Sequence, residues 1–152
     1  MGTGGSICII PPNYWKEKPM FGFFAWKRKS KIRQINKDAP IIIEHARQAF
    51  RSDKVREIAR VTAQHLDRAH KIFEPTSIGL QRAIDEYKRL HREARRQQDD
   101  VSLSAFTLVQ IYLRAEGMGE DCRPAIDTID AFLAEWEHVF NDDTERVTKQ
   151  GD

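Results

Sequence analysis

Apolar residues recur at intervals of three and four along most of the chain, and this spacing is the strongest constraint on its fold. Stripes of this kind run from Val55 to Phe73, from Leu80 to Ala94 and from Leu103 to Leu113. No segment shows the alternation typical of a β-strand, so the sequence predicts an all-α domain. The clearest stripe comprises Ile126, Ile129, Phe132, Leu133, Trp136, Val139 and Phe140.

Turn residues divide these stripes into four to five helices. Asp38 is predicted to cap the first helix, with Pro40 in its first turn, where a missing N–H costs little. Either one long helix spans residues 40–73 or a bend near residues 51–54 divides it into two segments, which is the favoured interpretation, and Pro75 ends the second. Gly117 is expected to end the fourth as a left-handed cap. The short links favour a small bundle or an irregular array of helices, with the fourth helix, apolar on most of its circumference, at the centre.

Composition divides the chain into three regions. Residues 1–37 hold three of the six prolines and show no helical period, so they are predicted to form an extended, partly ordered, basic and aromatic arm. Residues 38–140 are predicted to form the helical domain, and a chain of 152 residues can bury a core without disulfides. Residues 141–152 are polar and are expected to form a disordered tail.

Charge is distributed unevenly along the chain. Residues 1–98 carry 21 Lys and Arg against 10 Asp and Glu, whereas residues 99–152 carry 4 against 13. The formal charges of +11 and −9 nearly cancel, which leaves the net +2. Such a split indicates either electrostatic pairing of the two segments or separate surfaces with different partners; two simply solvated surfaces are the alternative.

The stretch FGFFAWKRKSKIR, residues 21–33, places aromatic residues directly before a cluster of cations. In one hypothesis the rings enter the headgroup region of an anionic membrane, and each cation contributes on the order of 1 kcal/mol. In others the rings stack on nucleic-acid bases, dock on a partner protein, or pack against the helices while the cations stay in water. The predicted membrane or partner contacts are Phe21, Phe23, Phe24, Trp26, Lys27, Arg28, Lys29, Lys31 and Arg33.

A second basic surface is predicted on the helix formed by residues 78–98. Its arginines lie opposite the apolar stripe when positions are spaced at about 100°. They form either a solvated exterior with internal ion pairs or an electrostatic contact surface for nucleic acid, acidic lipid or acidic protein. These residues are Arg82, Arg89, Arg92 and Arg96.

The first residues, MGTGGS, fit the pattern for N-myristoylation, and Cys8 could accept a second acyl chain. A plain flexible segment is the alternative interpretation. Met20, directly before the aromatic residues, is a second candidate start, and translation from it would remove the lipidation pattern.

Motifs for catalysis are missing from the sequence. No serine lies in a G-x-S-x-G turn, and there is no phosphate-binding loop. Glu135 with His138, and Asp67 with His70, have the spacing of helical carboxylate metal sites. His138, however, falls about 200° from Trp136 and is predicted to face solvent. No metal, cofactor or small-molecule substrate is therefore predicted.

No apolar run approaches the roughly 20 residues of a membrane-spanning helix, and no signal peptide is evident. Cys8 and Cys122 lack disulfide or metal spacing, which favours the reducing cytoplasm. The sequence therefore predicts a cytoplasmic, non-catalytic, adaptor-like protein whose arm binds an anionic membrane or a partner protein. The alternatives are a nucleic-acid-binding accessory protein that uses the arm and helix 78–98, and a small helical enzyme without a readable motif.

Overall fold

Five α-helices account for nearly all of the described chain. The structure is a computed structural model that describes the backbone of residues 20–151 and the side chains of residues 27–139. Within that backbone there is no β-strand, so the all-α prediction is confirmed. The elements are α1 (Met20–Ala49), α2 (Ser52–Ile72), α3 (Ser77–Arg96), α4 (Asp100–Met118), a 3-10 turn (Gly119–Cys122) and α5 (Arg123–Gly151).

Helix α4 lies at the centre, as its broad apolar surface predicted. It packs against all four other helices, and residues on several of its sides are fully buried, among them Ala105, Leu108 and Val109. One apolar cluster joins α4 to α1, α2 and α5, and a second joins it to α2 and α3. A central helix shared by two clusters fixes the positions of α1 and α3 on its two flanks.

Helix α1 begins earlier than the sequence predicted. It starts at Met20 rather than at Asp38, so the predicted boundary at residue 37 lies inside a continuous helix. Residues 20–37 are therefore helical and not extended, whereas residues 1–19, including the lipidation pattern, lie outside the described chain. The period was missed because cations interrupt the few apolar residues of this segment.

Pro40 was expected in a first helical turn, but it lies in the interior of α1. Proline there removes one backbone hydrogen bond and crowds the preceding turn, at a cost of about 3 kcal/mol. Ile35 and Ala39 before it, and Ile43 and Ala46 after it, are buried in one line along the helix. Burial of this line on both sides of the proline offsets its cost, which is why the helix continues through it.

Asn36 connects α1 to the start of α5. Its side-chain amide donates to the carbonyl oxygen of Asp121 at 3.0 Å, and its Oδ1 accepts from the backbone N–H of Ala125 at 3.2 Å. The first N–H groups of a helix have no partner within it, so Asn36 acts as a cap supplied by a different helix. Residues 28–37 of the segment predicted as an arm are therefore part of the packed structure.

The helix ends differ from the sequence prediction at several places. Two helices rather than one form here, as expected, but residues 50–51 separate them and residues 52–54, predicted as the bend, belong to α2. Gly117 remains helical, and α4 is capped by Gly119 instead. Gly119 has φ 74° and ψ −145°, a conformation open almost only to glycine. Helix α5 continues to Gly151 rather than ending in a disordered tail. No proline or glycine interrupts it between Pro124 and Gly151.

Candidate contact surfaces

Helix α1 separates the predicted basic cluster into groups with different surroundings. Lys27, Arg28, Lys29, Lys31 and Arg33 are all exposed. Consecutive residues of a helix point about 100° apart, so these side chains do not share one surface, as an extended arm would have allowed. The predicted aromatic contacts, Phe21, Phe23, Phe24 and Trp26, belong to the same helix, and their side chains lie outside the described part.

Arg28 is held within the protein. Its guanidinium donates to the carbonyl oxygen of Met118 at 2.8 Å and to the Met118 sulfur at 3.4 Å. The same group lies 3.7 Å from the carboxylate of Asp121. Arg28 thus satisfies a carbonyl at the end of α4 and neutralises an acid in the following turn, which makes it a structural residue rather than a free contact.

Lys29 and Arg33 lie one helical turn apart, and Lys37 follows at the same interval. All three are exposed, and none has a hydrogen bond or ion pair within the described part of the chain. Residues at intervals of three and four share one side of a helix, and Trp26 precedes Lys29 by three positions. We call Lys29, Arg33 and Lys37 the α1 basic stripe. Lys37 was missed because the arm was predicted to be extended.

The second predicted basic surface, on α3, is half neutralised by its own helix. Arg89 pairs with Glu86 at 2.8 Å, and Arg96 pairs with Glu93. Arg82 and Arg92 are exposed, and neither has an ion pair or hydrogen bond to any described residue. This surface resembles a solvated helix exterior with internal pairs more than a continuous electrostatic contact.

The basic and acidic segments of the chain pair at several points. Arg47 of α1 forms a two-pronged contact with Glu135 of α5, and one of its hydrogen bonds measures 2.9 Å. This guanidinium holds the pKa of the Glu135 carboxyl below its usual range. Lys54 reaches Asp100 at 3.5 Å. Some cations of the basic N-terminal segment therefore form ion pairs that connect α1 and α2 to α4 and α5.

A cleft of about 500 Å³ opens between α1 and α3, above α4. Three helices line it, and each supplies one exposed cation: Lys31, Lys88 and Arg114. Asp38 also lines the cleft, and its carboxylate accepts a 2.7 Å hydrogen bond from Gln34. The apolar lining residues are Ile35, Leu80, Ile84, Ile111 and Met118. Sequence reasoning missed this site because only the packing of three helices brings its residues together.

A second cleft, of about 440 Å³, adjoins the first near the turn between α2 and α3. The two clefts share Leu80 and Gly117. A Cβ atom at Gly117 would lie 2.7 Å from Cδ2 of Leu80, so glycine lets this leucine pack closely on α4. In the second cleft His70 lies 2.7 Å from Glu116.

The predicted carboxylate–histidine pairs are not assembled into metal sites. Asp67 pairs with Lys71 at 2.9 Å, and His70 contacts Glu116 instead. Glu135 is occupied by Arg47, while His138 is exposed, as the sequence predicted. Among the residues that the structure describes, no three His, Cys, Asp or Glu side chains lie close enough to bind one metal ion.

Two polar aromatic side chains, the buried Tyr87 and the half-buried His65, contact each other between α2, α3 and α4. His65 Nδ1 lies 3.0 Å from the hydroxyl of Tyr87, which donates to the His65 carbonyl oxygen at 3.2 Å. Burial lowers the pKa of His65, and nearby Arg68 lowers it further. Burial also raises the pKa of Tyr87. His65 packs edge-on against Phe106, and the Tyr87 ring lies tilted against the same phenyl ring. The hydrogen bonds between His65 and Tyr87 join α2 to α3, which indicates a structural role.

Within residues 20–151, no helix is sufficiently long and apolar to cross a lipid bilayer. Comparison of the chain with protein-family models, with curated proteins and with solved structures finds no match.

Proposed function

We propose that this chain is a non-catalytic, adaptor-like helical protein that attaches peripherally to an anionic membrane, on its cytoplasmic side, through helix α1. The contact consists of the α1 basic stripe, with Trp26 one turn before it. One observation carries the proposal: three exposed cations in helical register have no partner in the described chain. Arg60, Lys71 and Arg123 pair with acids on their own helices, whereas Lys88, Arg92 and Arg95 of α3 are exposed without a described partner, as the stripe is. The stripe differs from the α3 cations in having an aromatic residue, Trp26, one helical turn before it.

The expected strength follows from the number of cations. Each Lys or Arg near an anionic surface contributes about 1 kcal/mol, so the stripe supplies about 3 kcal/mol, or roughly a 100-fold change in partitioning. Insertion of an aromatic ring into the headgroup region adds to this attraction. Because the contact is exposed, added salt screens it over about 10 Å at 0.1 M.

The proposal is narrower than the contact set predicted from the sequence. Arg28 is bound to Met118 and Asp121, and Lys31 lines the cleft. These two cations are therefore not assigned to the membrane contact, whereas Lys37 joins it. The proposed surface is a helix side and not a flexible tether, so deletion of residues 1–37 would remove part of the core and is unsuitable as a test.

Vesicle flotation of the full chain tests the proposal. Phosphatidylcholine vesicles with and without phosphatidylserine are compared across a salt series. The variant K29Q/R33Q/K37Q should bind the anionic vesicles roughly 100-fold more weakly. A matched control, R82Q/R92Q/R95Q, removes three exposed cations of α3 and should retain most of the binding.

Two results would contradict the membrane proposal. The first is failure of the intact chain to bind anionic vesicles, and the second is equal loss of binding in both triple variants, which would indicate net charge alone. Binding to mixed nucleic acid that weakens log-linearly with salt, and that depends on the α3 arginines, would favour the nucleic-acid alternative. We expect no such binding, because two of the predicted α3 arginines, Arg89 and Arg96, are already paired with acids of their own helix.

A further inference from the structure

We propose that the cleft between α1, α3 and α4 binds a single-chain anionic lipid, of the kind represented by a medium-chain fatty-acid carboxylate. This inference is independent of the proposed membrane contact. The α1 basic stripe does not line the cleft, and Lys31, which does line it, was excluded from the stripe. The cleft therefore constitutes a second site on the same protein.

The charge of the lining selects an anion. Lys31, Lys88 and Arg114 come from three different helices, are exposed, and have no ion pair within the described residues. The single lining carboxylate, Asp38, is half-buried and already accepts a hydrogen bond from Gln34. A partly enclosed cleft with apolar walls focuses the potential of unpaired cations, so a ligand carboxylate placed among them is favoured.

The remaining lining selects an apolar body. The apolar floor of the cleft is formed by small exposed parts of three otherwise buried core residues, Ile35, Ile84 and Ile111. Two half-buried residues, Leu80 and Met118, also line it. A volume of about 500 Å³ corresponds to about 16 water molecules. Since a methylene group occupies about the volume of one water, an alkyl chain of roughly a dozen carbons and its head group fit this space.

Size and composition favour a small amphiphile over the other anions. An inorganic anion would use the three cations but leave the apolar lining in water. An acidic helix has a diameter of about 10 Å, so the cleft volume would enclose only about one of its turns. Ligand sites of small molecules commonly occupy about 300–1,000 Å³, and this cleft has that size. Five of its twelve lining residues are apolar and six, including Gln81, are polar or charged, which suits a ligand with both an apolar and an anionic part.

Titration of the full chain with laurate, below its micelle concentration and without vesicles, tests the inference. We expect saturable binding by calorimetry and a rise in melting temperature, since a ligand bound to the native state stabilises it. The double variant K88Q/R114Q should bind laurate roughly ten-fold more weakly or worse, because it loses two charge-assisted contacts. Q34W, at an exposed lining position, should block the cleft without loss of stability.

Matched ligands and variants separate this site from the membrane contact. Dodecanol and dodecyltrimethylammonium, which lack the negative charge, should bind far more weakly than laurate, and acetate, which lacks the chain, should not bind. K29Q/R33Q/K37Q should keep laurate affinity within about two-fold, because the stripe lies outside the cleft. Absence of saturable laurate binding, equal binding of dodecanol or acetate, or unchanged binding by Q34W would each overturn the inference. If an acidic peptide binds in the cleft, it should displace bound laurate. An acidic peptide that binds there when laurate does not bind would also overturn the inference.

Discussion

Asn36 ties α1 to the start of α5, and its replacement by alanine tests whether this segment belongs to the packed structure. The change leaves the Ala125 N–H, at a fully buried residue, without its partner and removes the bond to the Asp121 carbonyl. An unpaired buried donor costs about 1.5 kcal/mol and the second bond about 1 kcal/mol. The better helix propensity of alanine returns about 0.5 kcal/mol. The expected loss is therefore about 2 kcal/mol.

Denaturant unfolding followed by circular dichroism measures this loss, and for a chain of this size it corresponds to a fall in Tm of about 4–8 °C. The control is Gln48→Ala on the same helix. Gln48 is exposed and donates only to Glu44 at 3.2 Å, so this change should alter the free energy of unfolding by less than about 0.5 kcal/mol. If Asn36→Ala proves as mild as the control, α1 is not anchored to α5 as the structure indicates.

Three further predictions concern single side chains. Gly119→Ala should lower the free energy of unfolding by about 1–3 kcal/mol through backbone strain alone, since a Cβ there meets no atom within 4 Å; thermal denaturation checks this. Burial lowers the pKa of folded His65 below the unfolded value of about 6.5. The contribution of neutral His65 to the free energy of unfolding is therefore complete above pH 6.5 and is lost as the pH falls below that value. The difference in free energy of unfolding between wild type and His65→Gln should shrink from pH 8 to pH 5.5. Arg28→Ala should lower the free energy of unfolding by about 1 kcal/mol, because the hydrogen bond to Met118 is lost, and should change vesicle binding little. Lys29→Ala should weaken vesicle binding and leave the free energy of unfolding nearly unchanged. Denaturation and vesicle flotation measure the two quantities.

The sequence predicted the helical core well because its helices carry regular apolar stripes. Thr76 was predicted among two candidates to cap α3, and its hydroxyl accepts from the Gly79 N–H at 3.0 Å. The start of α1 was predicted wrongly because Pro40 has the sequence character of a first-turn residue. Its position in the interior depends on burial of Ile35 and Ile43 against other helices, and this information is not local.

The candidate sites were only partly accessible to sequence reasoning. The cations from Lys27 to Arg33 were recognised, but the distinction between Arg28 and Lys29 requires the helical register and the position of Met118. The helical register also adds Lys37 to the basic stripe. Had residues 20–37 been predicted as a helix, the spacing of Lys29, Arg33 and Lys37 would have identified Lys37 from the sequence. No sequence signal joins Lys88 and Arg114 to α1, because their proximity is created by the packing of α3 and α4.

Trp26 fluorescence tests the membrane contact most directly. In a full chain carrying Trp15→Phe and Trp136→Phe, Trp26 is the only tryptophan left. Phosphatidylserine vesicles should shift its emission to the blue, brominated lipid should quench it, and high salt should reverse both effects. If the chain floats with anionic vesicles while Trp26 emission stays unchanged and unquenched, the membrane is bound by another surface and the assignment to α1 is wrong.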